Sequence, residues 1–374
     1  MILHYPGGSM KTLALSLFAG ILTLGAYLSL WPVPVQPVAW KAPAAPGYVG
    51  VHAVNSWLGN LALIPLGPES GPEHVALGPD GLLYVAVASG NVLRMKPDGS
   101  GQQVFARTGG RVLGFDFDAN GQMIAADAML GLLVIDKGGK VSALSNEVAG
   151  DPIRYADAVV VAKNGKIYFS DASRRFAPRD WGGTFEAAVL DILEQQATGR
   201  ILEYNPANQR TRVVAQGLSF ANGVALSEDE KTLLVAETGK YRIWKISVAA
   251  KALDVRTTST QASVLLDNLP GYPDNVMRGQ YGLIWVGLSG PRSPMVDQLA
   301  DQPWLRAVTL RLPRFMWPLP KPYGHVFAFT EDGKVHVDMQ DPGGKFPQST
   351  GVTETADRLY FQNLHNKVLG WKFR

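Results

Sequence analysis

The chain has 374 residues, 46% of them hydrophobic and 18% charged, a composition that suits one large globular domain or two with a sizeable core. A net charge of +3 without any long basic block gives no reason to expect nucleic acid, and the lack of cysteine excludes a disulfide framework and a thiolate metal site. Forty glycines and twenty-five prolines imply many turns.

Residues 12–31 run for twenty positions without a charge, directly after Lys11. At a rise of ~1.5 Å per residue such a helix crosses a hydrocarbon core of about 30 Å, and no polar face interrupts it as one would in a buried amphipathic helix. The run is expected to be an uncleaved transmembrane or signal-anchor helix. Residues 1–11 would then form a short cytoplasmic segment and the rest would lie outside the cytoplasm, on the periplasmic or lumenal side. Removal as a signal peptide near 42–45 is the alternative. Residues 32–47, with Pro32, Pro34, Pro37, Pro43 and Pro46, read as a stiff linker. The folded domain is expected over 48–374.

From Gly71 onward, short runs rich in β-branched and aromatic residues alternate with turns, so the domain is expected to be all-β. One pattern recurs in it. A polar residue is followed eight positions later by a turn residue and three later again by an apolar anchor: Glu73, Gly81, Tyr84; Asp157, Gly165, Tyr168; Asn222, Glu230, Leu233; Asp274, Gly282, Trp285. Two weaker copies begin at Leu113 and Ser349. Six copies, each with room for four strands, predict a six-bladed β-propeller rather than a sandwich. A strand from ALIPL, before the first copy, is expected to complete the last blade and close the ring.

Two insertions lengthen the repeats, 176–199 and 290–322. In the first, Phe185, Val189, Ile192 and Leu193 recur at helical spacing. Both are expected to be lids or amphipathic elements packed on the rim.

In a propeller the first strand of each blade lines the central channel, so Glu73, Asp157, Asn222 and Asp274 share a destination, with Asp274 at the mouth of its strand. Carboxylates that converge in a buried channel repel unless a cation neutralises them. Oxygen ligands without His or Cys select Ca2+, or less readily Mg2+. Asp116–Gly121 with Asp127 superficially matches an EF-hand loop, but no helices flank it. His74 should point away from the face of Glu73 as a buried structural imidazole. His325, His336 and His365 show no zinc spacing, and no GxSxG, HExxH or phosphate-loop pattern occurs.

The segments GPEHVALGPDG, YADAVVVAKNGKIYFSDAS, DWGGTFEAAVLDILE, GRILEYNP, GLSFANGVALSEDEKTLLVAET and LPGYPDNV resemble the strictosidine-synthase-like branch of the calcium-dependent phosphotriesterase superfamily. That superfamily includes gluconolactonase- and paraoxonase-like propellers and the adipocyte plasma-membrane-associated branch. The resemblance implies a calcium in the channel, held by Glu73, Asp157, Asn222 and Asp274, with Asn275 a further ligand. Asp157 stands where Asn is more usual in the family, and Ala158 replaces a common Asp. Strictosidine synthase itself uses a glutamate on the channel strand of its last blade, and Thr350 occupies that position here. The expected function is calcium-dependent hydrolysis of a small-molecule lactone or aryl ester with Asp274 as base. The competing expectation is a non-catalytic, membrane-anchored propeller that binds a ligand or partner and keeps calcium as a structural clip.

Overall fold

The computed structural model describes residues 10–374, so most of the expected cytoplasmic segment, 1–9, lies outside the described residues. Met10–Leu30 is one continuous helix with none of its residues buried against the rest of the chain, long and apolar enough to cross a membrane. Beyond it, six antiparallel sheets are arranged as a six-bladed β-propeller. The first blade shows the plan: His74–Leu77, Leu83–Ala86, Asn91–Met95 and Gln103–Arg107 follow one another as a meander. The other blades span residues 112–145, 156–218, 221–266, 271–341 and 349–373. The third adds a short fifth strand, Leu253–Asp254, parallel to its neighbour.

The ring closes as the sequence leads one to expect. Ala62–Pro65 pairs antiparallel with Val368–Phe373, Ala62 opposite Trp371 and Pro65 opposite Val368, so the last blade takes its outer strand from the start of the domain. Closure leaves no open gap between first and last blades, which is how a propeller manages exposed strand edges.

Each copy of the twelve-residue pattern is the inner hairpin of a blade. In four copies the residue three beyond the polar position faces the anchor: Ala76 opposite Tyr84, Asp116 opposite Ile124, Val160 opposite Tyr168, Met277 opposite Trp285. In the other two the pairing shifts by one, to Leu226 opposite Leu233 and Thr353 opposite Tyr360. The anchors are buried and knit adjacent blades together. Tyr84, for example, meets Phe105 of its own blade and Phe117 of the next edge-on, both near 5 Å.

Both insertions cap one end of the channel. The first forms the helix Thr184–Glu194, and the second carries the short helices Pro294–Gln298 and Pro303–Thr309. Residues 32–47 do not stand off as a spacer. They lie against this cap: Val38 N donates to the Glu194 carbonyl, Trp40 N to the Ala300 carbonyl, and Val35 is buried.

A candidate metal centre in the channel

The channel strands are not regular, and their irregularity aims the site. Pairing is interrupted between Ala156 and Val159, between Ala221 and Val224, and between Pro273 and Val276. The first residue inside each bulge is Asp157, Asn222 or Asp274. A bulge leaves its extra residue out of the ladder and re-aims its side chain, here toward the axis. Asp274 therefore lies within the strand Gly271–Arg278 rather than at its mouth. The last blade carries the same bulge between Ser349 and Val352, which makes Thr350, not Ser349, the counterpart of Asp274.

Glu73, Asp157, Asn222 and Asp274 line one cavity of about 290 Å³, and all four are buried. Its walls are largely apolar: Leu113 and Phe220 come from the blades, Phe185, Val189 and Leu193 from the capping helix, and Pro318 and Pro320 from the second insertion. Both insertions thus roof the cavity.

Asn275 is set apart. Being the second bulge residue it turns the other way, donates its amide to the Glu73 carbonyl at 3.2 Å, and borders the cavity at the opposite end of the channel. Its place corrects the expectation that it joins the other four: the bulge between Pro273 and Val276 turns Asp274 and Asn275 toward different cavities.

The site also holds a cation that sequence reasoning missed. Arg111 lines the cavity with Nη2 3.4 Å from the Glu73 carboxylate, and its backbone N–H is fixed by Asp127 Oδ1 at 3.0 Å. A signal for it existed. Arg111, Tyr155, Phe220, Tyr272 and Gln348 stand two residues before Leu113, Asp157, Asn222, Asp274 and Thr350, and all five line the cavity. They form a second ring above the first. His365, from the last blade, borders the same space.

Burial dominates the electrostatics. It pushes the Glu73 carboxyl up to about 7, against the pull of Arg111. Asp157 is raised well above the carboxylate range by burial and by Glu73, and Asp274 by burial, Glu73 and Asp157, with Asn222 and Ser289 opposing. Three ionised carboxylates and one guanidinium would leave two negative charges in the channel, the charge that one divalent cation balances. Asn222 Oδ1 is buried without a hydrogen-bond partner, which a cation would satisfy. Glu73, Asp157 and Asp274 share the lining of one cavity but do not have all their ligand oxygens within 4.8 Å of one another; oxygens on opposite sides of a calcium ion, each at 2.3–2.6 Å, stand about 5 Å apart. The residues fit calcium.

Asp116, Asp118 and His74 are structural. Asp116 accepts from Phe117 N and Val161 N and joins two blades, while Asp118 closes a turn. His74 is buried edge-on to Phe115, and burial lowers its pKa to about 4, so its ring stays neutral.

Family models match in two places: strictosidine synthase over residues 157–251, and the strictosidine synthase-like N-terminal region over residues 50–95. Strictosidine synthase-like 10 of Arabidopsis thaliana is 32% identical over 82% of this chain and 86% of its own length. The adipocyte plasma membrane-associated protein of Salmo salar is 30% identical over 93% and 86%. Strictosidine synthase-like 13 of Arabidopsis thaliana is 36% identical, but the match covers 57% of it. Among solved structures, a gluconolactonase from Xanthomonas campestris superposes with a TM-score of 0.61 at 19% identity, covering 91% of this chain and 99% of that one. The calcium-binding protein regucalcin from Agrobacterium tumefaciens gives 0.55 at 15%, over 84% and 94%. At such identities these two show the propeller fold. The sequence relatives go further, and by them the chain belongs to the strictosidine synthase-like family.

Proposed function

We propose that this protein is a calcium-dependent hydrolase of lactones or aryl esters, anchored at a membrane by Met10–Leu30 with its propeller outside the cytoplasm. The observation that carries the reading is the convergence of Glu73, Asp157, Asn222 and Asp274 on one roofed, apolar cavity, with Asn222 Oδ1 unpartnered. These four residues would hold the ion. A bound calcium supplies Lewis acidity, polarising an ester carbonyl and acidifying water.

The chain's own residues do the rest. Asp274 is the base: burial and its acidic neighbours Glu73 and Asp157 raise its affinity for a proton, and with a cation bound it would stand ionised and able to accept one. Phe185, Val189, Leu193 and Phe220 hold the apolar part of the substrate and keep bulk water out. Arg111, beside Glu73, faces the developing negative charge of the acyl oxygen from within the same cavity.

Arg111 also favours a second reading. A fixed guanidinium beside Glu73 partly neutralises the channel without metal, which suits a non-catalytic propeller that binds a ligand or partner and keeps calcium as a clip. Turnover of a simple aryl ester and a simple lactone by the purified chain, with and without calcium, separates the two. Calcium-dependent hydrolysis abolished by Asp274→Ala with the circular dichroism spectrum retained supports the enzyme. Calcium binding without turnover of either substrate class leaves the clip.

A further inference from the structure

Away from the channel, three side chains from separate stretches meet on the fifth blade. His325 lies on Gly324–Phe329 and Asp338 on Val335–Asp341; His325 pairs with Gln340 and Phe327 with Asp338, so His325 and Asp338 are diagonal neighbours on one face. His52 arrives from Gly50–His52, a short 3-10 helix of the N-terminal segment that packs on the same outer strand. Asp338 Oδ2 stands 2.7 Å from His52 Nδ1 and 2.7 Å from His325 Nε2. Its other oxygen accepts from Asn55 Nδ2 at 3.0 Å and from Gln340 Nε2. Two amides thus hold the carboxylate with one oxygen turned to both rings. The rings are edge to face, centroids 5.4 Å apart, and His325 is fully buried with its Nδ1 unpartnered.

We propose that His52, His325 and Asp338 form a second metal site, selective for zinc, that ties the N-terminal segment to the fifth blade. Two imidazole nitrogens and one carboxylate oxygen, with water in the fourth position, are a zinc ligand set, whereas calcium prefers oxygen alone. Among the described residues this is the one group of acidic and histidine side chains with three ligand atoms within 4.8 Å of one another. Tetrahedral zinc with bonds of ~2.0 Å spaces its ligands roughly 3.3 Å apart. The two 2.7 Å contacts reach that spacing by small side-chain rotations. Each ring binds as the neutral imidazole with its proton on the nitrogen away from the metal, so no charge is gained or lost by the ligands. The amides of Asn55 and Gln340 orient the carboxylate, as the outer contacts of protein zinc sites do. Tyr48, Tyr323 and Phe327 pack around the rings and restrict water.

The test uses the full chain in detergent, dialysed against a chelator and titrated with Zn2+ alone. Bound metal is followed by competition with a chromophoric chelator, and the melting temperature in parallel. The expected result is one zinc per chain at micromolar free metal with a raised melting temperature. His52→Ala and Asp338→Asn should each weaken binding tenfold or more, His52→Cys should retain it, and Asn55→Ala should weaken it about tenfold. His52 lies outside the propeller strands, so its variants report on the site and not on loss of the fold. Binding should persist in Asp274→Asn. No zinc bound at micromolar free metal, undiminished binding by His52→Ala, or loss of zinc in Asp274→Asn would each overturn the assignment.

Discussion

The Arg111 guanidinium lies 3.4 Å from the Glu73 carboxylate, both side chains buried in the wall of the same cavity. Neither charge is solvated, so each depends on the other, and the Asp157 carboxylate leans on the same guanidinium. Replacing Arg111 by Met should destabilise the metal-free protein by about 3 kcal/mol, the order of cost for orphaning one partner of a buried pair. It should also tighten calcium binding by making the ring more negative. Denaturant melts with chelator or with calcium check both directions.

Calcium should raise the melting temperature of the dialysed protein. Glu73→Gln and Asp274→Asn should each weaken its binding roughly tenfold or more, because calcium affinity follows the number of charged ligands. Asp116→Asn should leave it unchanged, since Asp116 is committed to two backbone N–H groups. An equal loss at Asp116 in calorimetric titrations would place the ion elsewhere.

Without metal, stability should depend on pH through Glu73. Its carboxyl titrates near 7 in the folded protein against 4.5 ordinarily, because burial disfavours the charged form. The folded state therefore holds the proton more tightly than the unfolded chain. The stabilisation is full below about pH 4.5 and is lost as pH rises through 7. Melting temperatures in chelator for wild type and Glu73→Gln should diverge over that window, with wild type losing ground as pH rises.

Gly223→Ala should disable the site without touching a ligand. A methyl group there would lie 2.2 Å from Val276 N and 2.4 Å from the Asp274 carbonyl oxygen, where the fourth and fifth blades meet at the axis. Backbone cannot yield as a side-chain tip can. The bulge carrying Asp274 should be displaced, with a loss of about 1–3 kcal/mol in stability and a larger proportional loss of calcium affinity.

No condensation of an amine with an aldehyde is expected, despite the family. Thr350 occupies the position of the glutamate used by strictosidine synthase, and its hydroxyl donates to the Glu73 carbonyl at 2.9 Å. A hydroxyl does not exchange protons usefully near neutral pH. Glu354 is no substitute: it is buried and accepts from Trp285 Nε1, from Gln280 N and from Arg374. Incubation with tryptamine and an aldehyde should yield no enzyme-dependent product, and Thr350→Glu alone should not create one.

Membrane fractions should retain the protein through Met10–Leu30, whose residues are unburied in the fold and free of acidic side chains. The mass of the mature N-terminus checks this. A soluble product beginning near Ala45 would mean that the helix is removed.

What the sequence determined by itself is what local periodicity encodes. The inner hairpins of the blades, the closing strand near Ala62–Pro65, the capping helix Thr184–Glu194 and the N-terminal helix each follow from apolar spacing and turn residues within one stretch of chain. The convergence of Glu73, Asp157, Asn222 and Asp274 was legible too, because repetition turns one register into one place. Tertiary structure decided the rest. Bulges, not alternation, determine which of Asp274 and Asn275 faces the cavity and which of Ser349 and Thr350 takes the sixth position, and a bulge depends on how the neighbouring blade packs. Arg111 became a member of the site through a carboxylate on another blade strand, Asp127, that pins its backbone. His52 meets Asp338 across 286 positions of sequence, a distance over which no spacing rule operates, since only the path of the N-terminal segment along the cap and fifth blade brings them together.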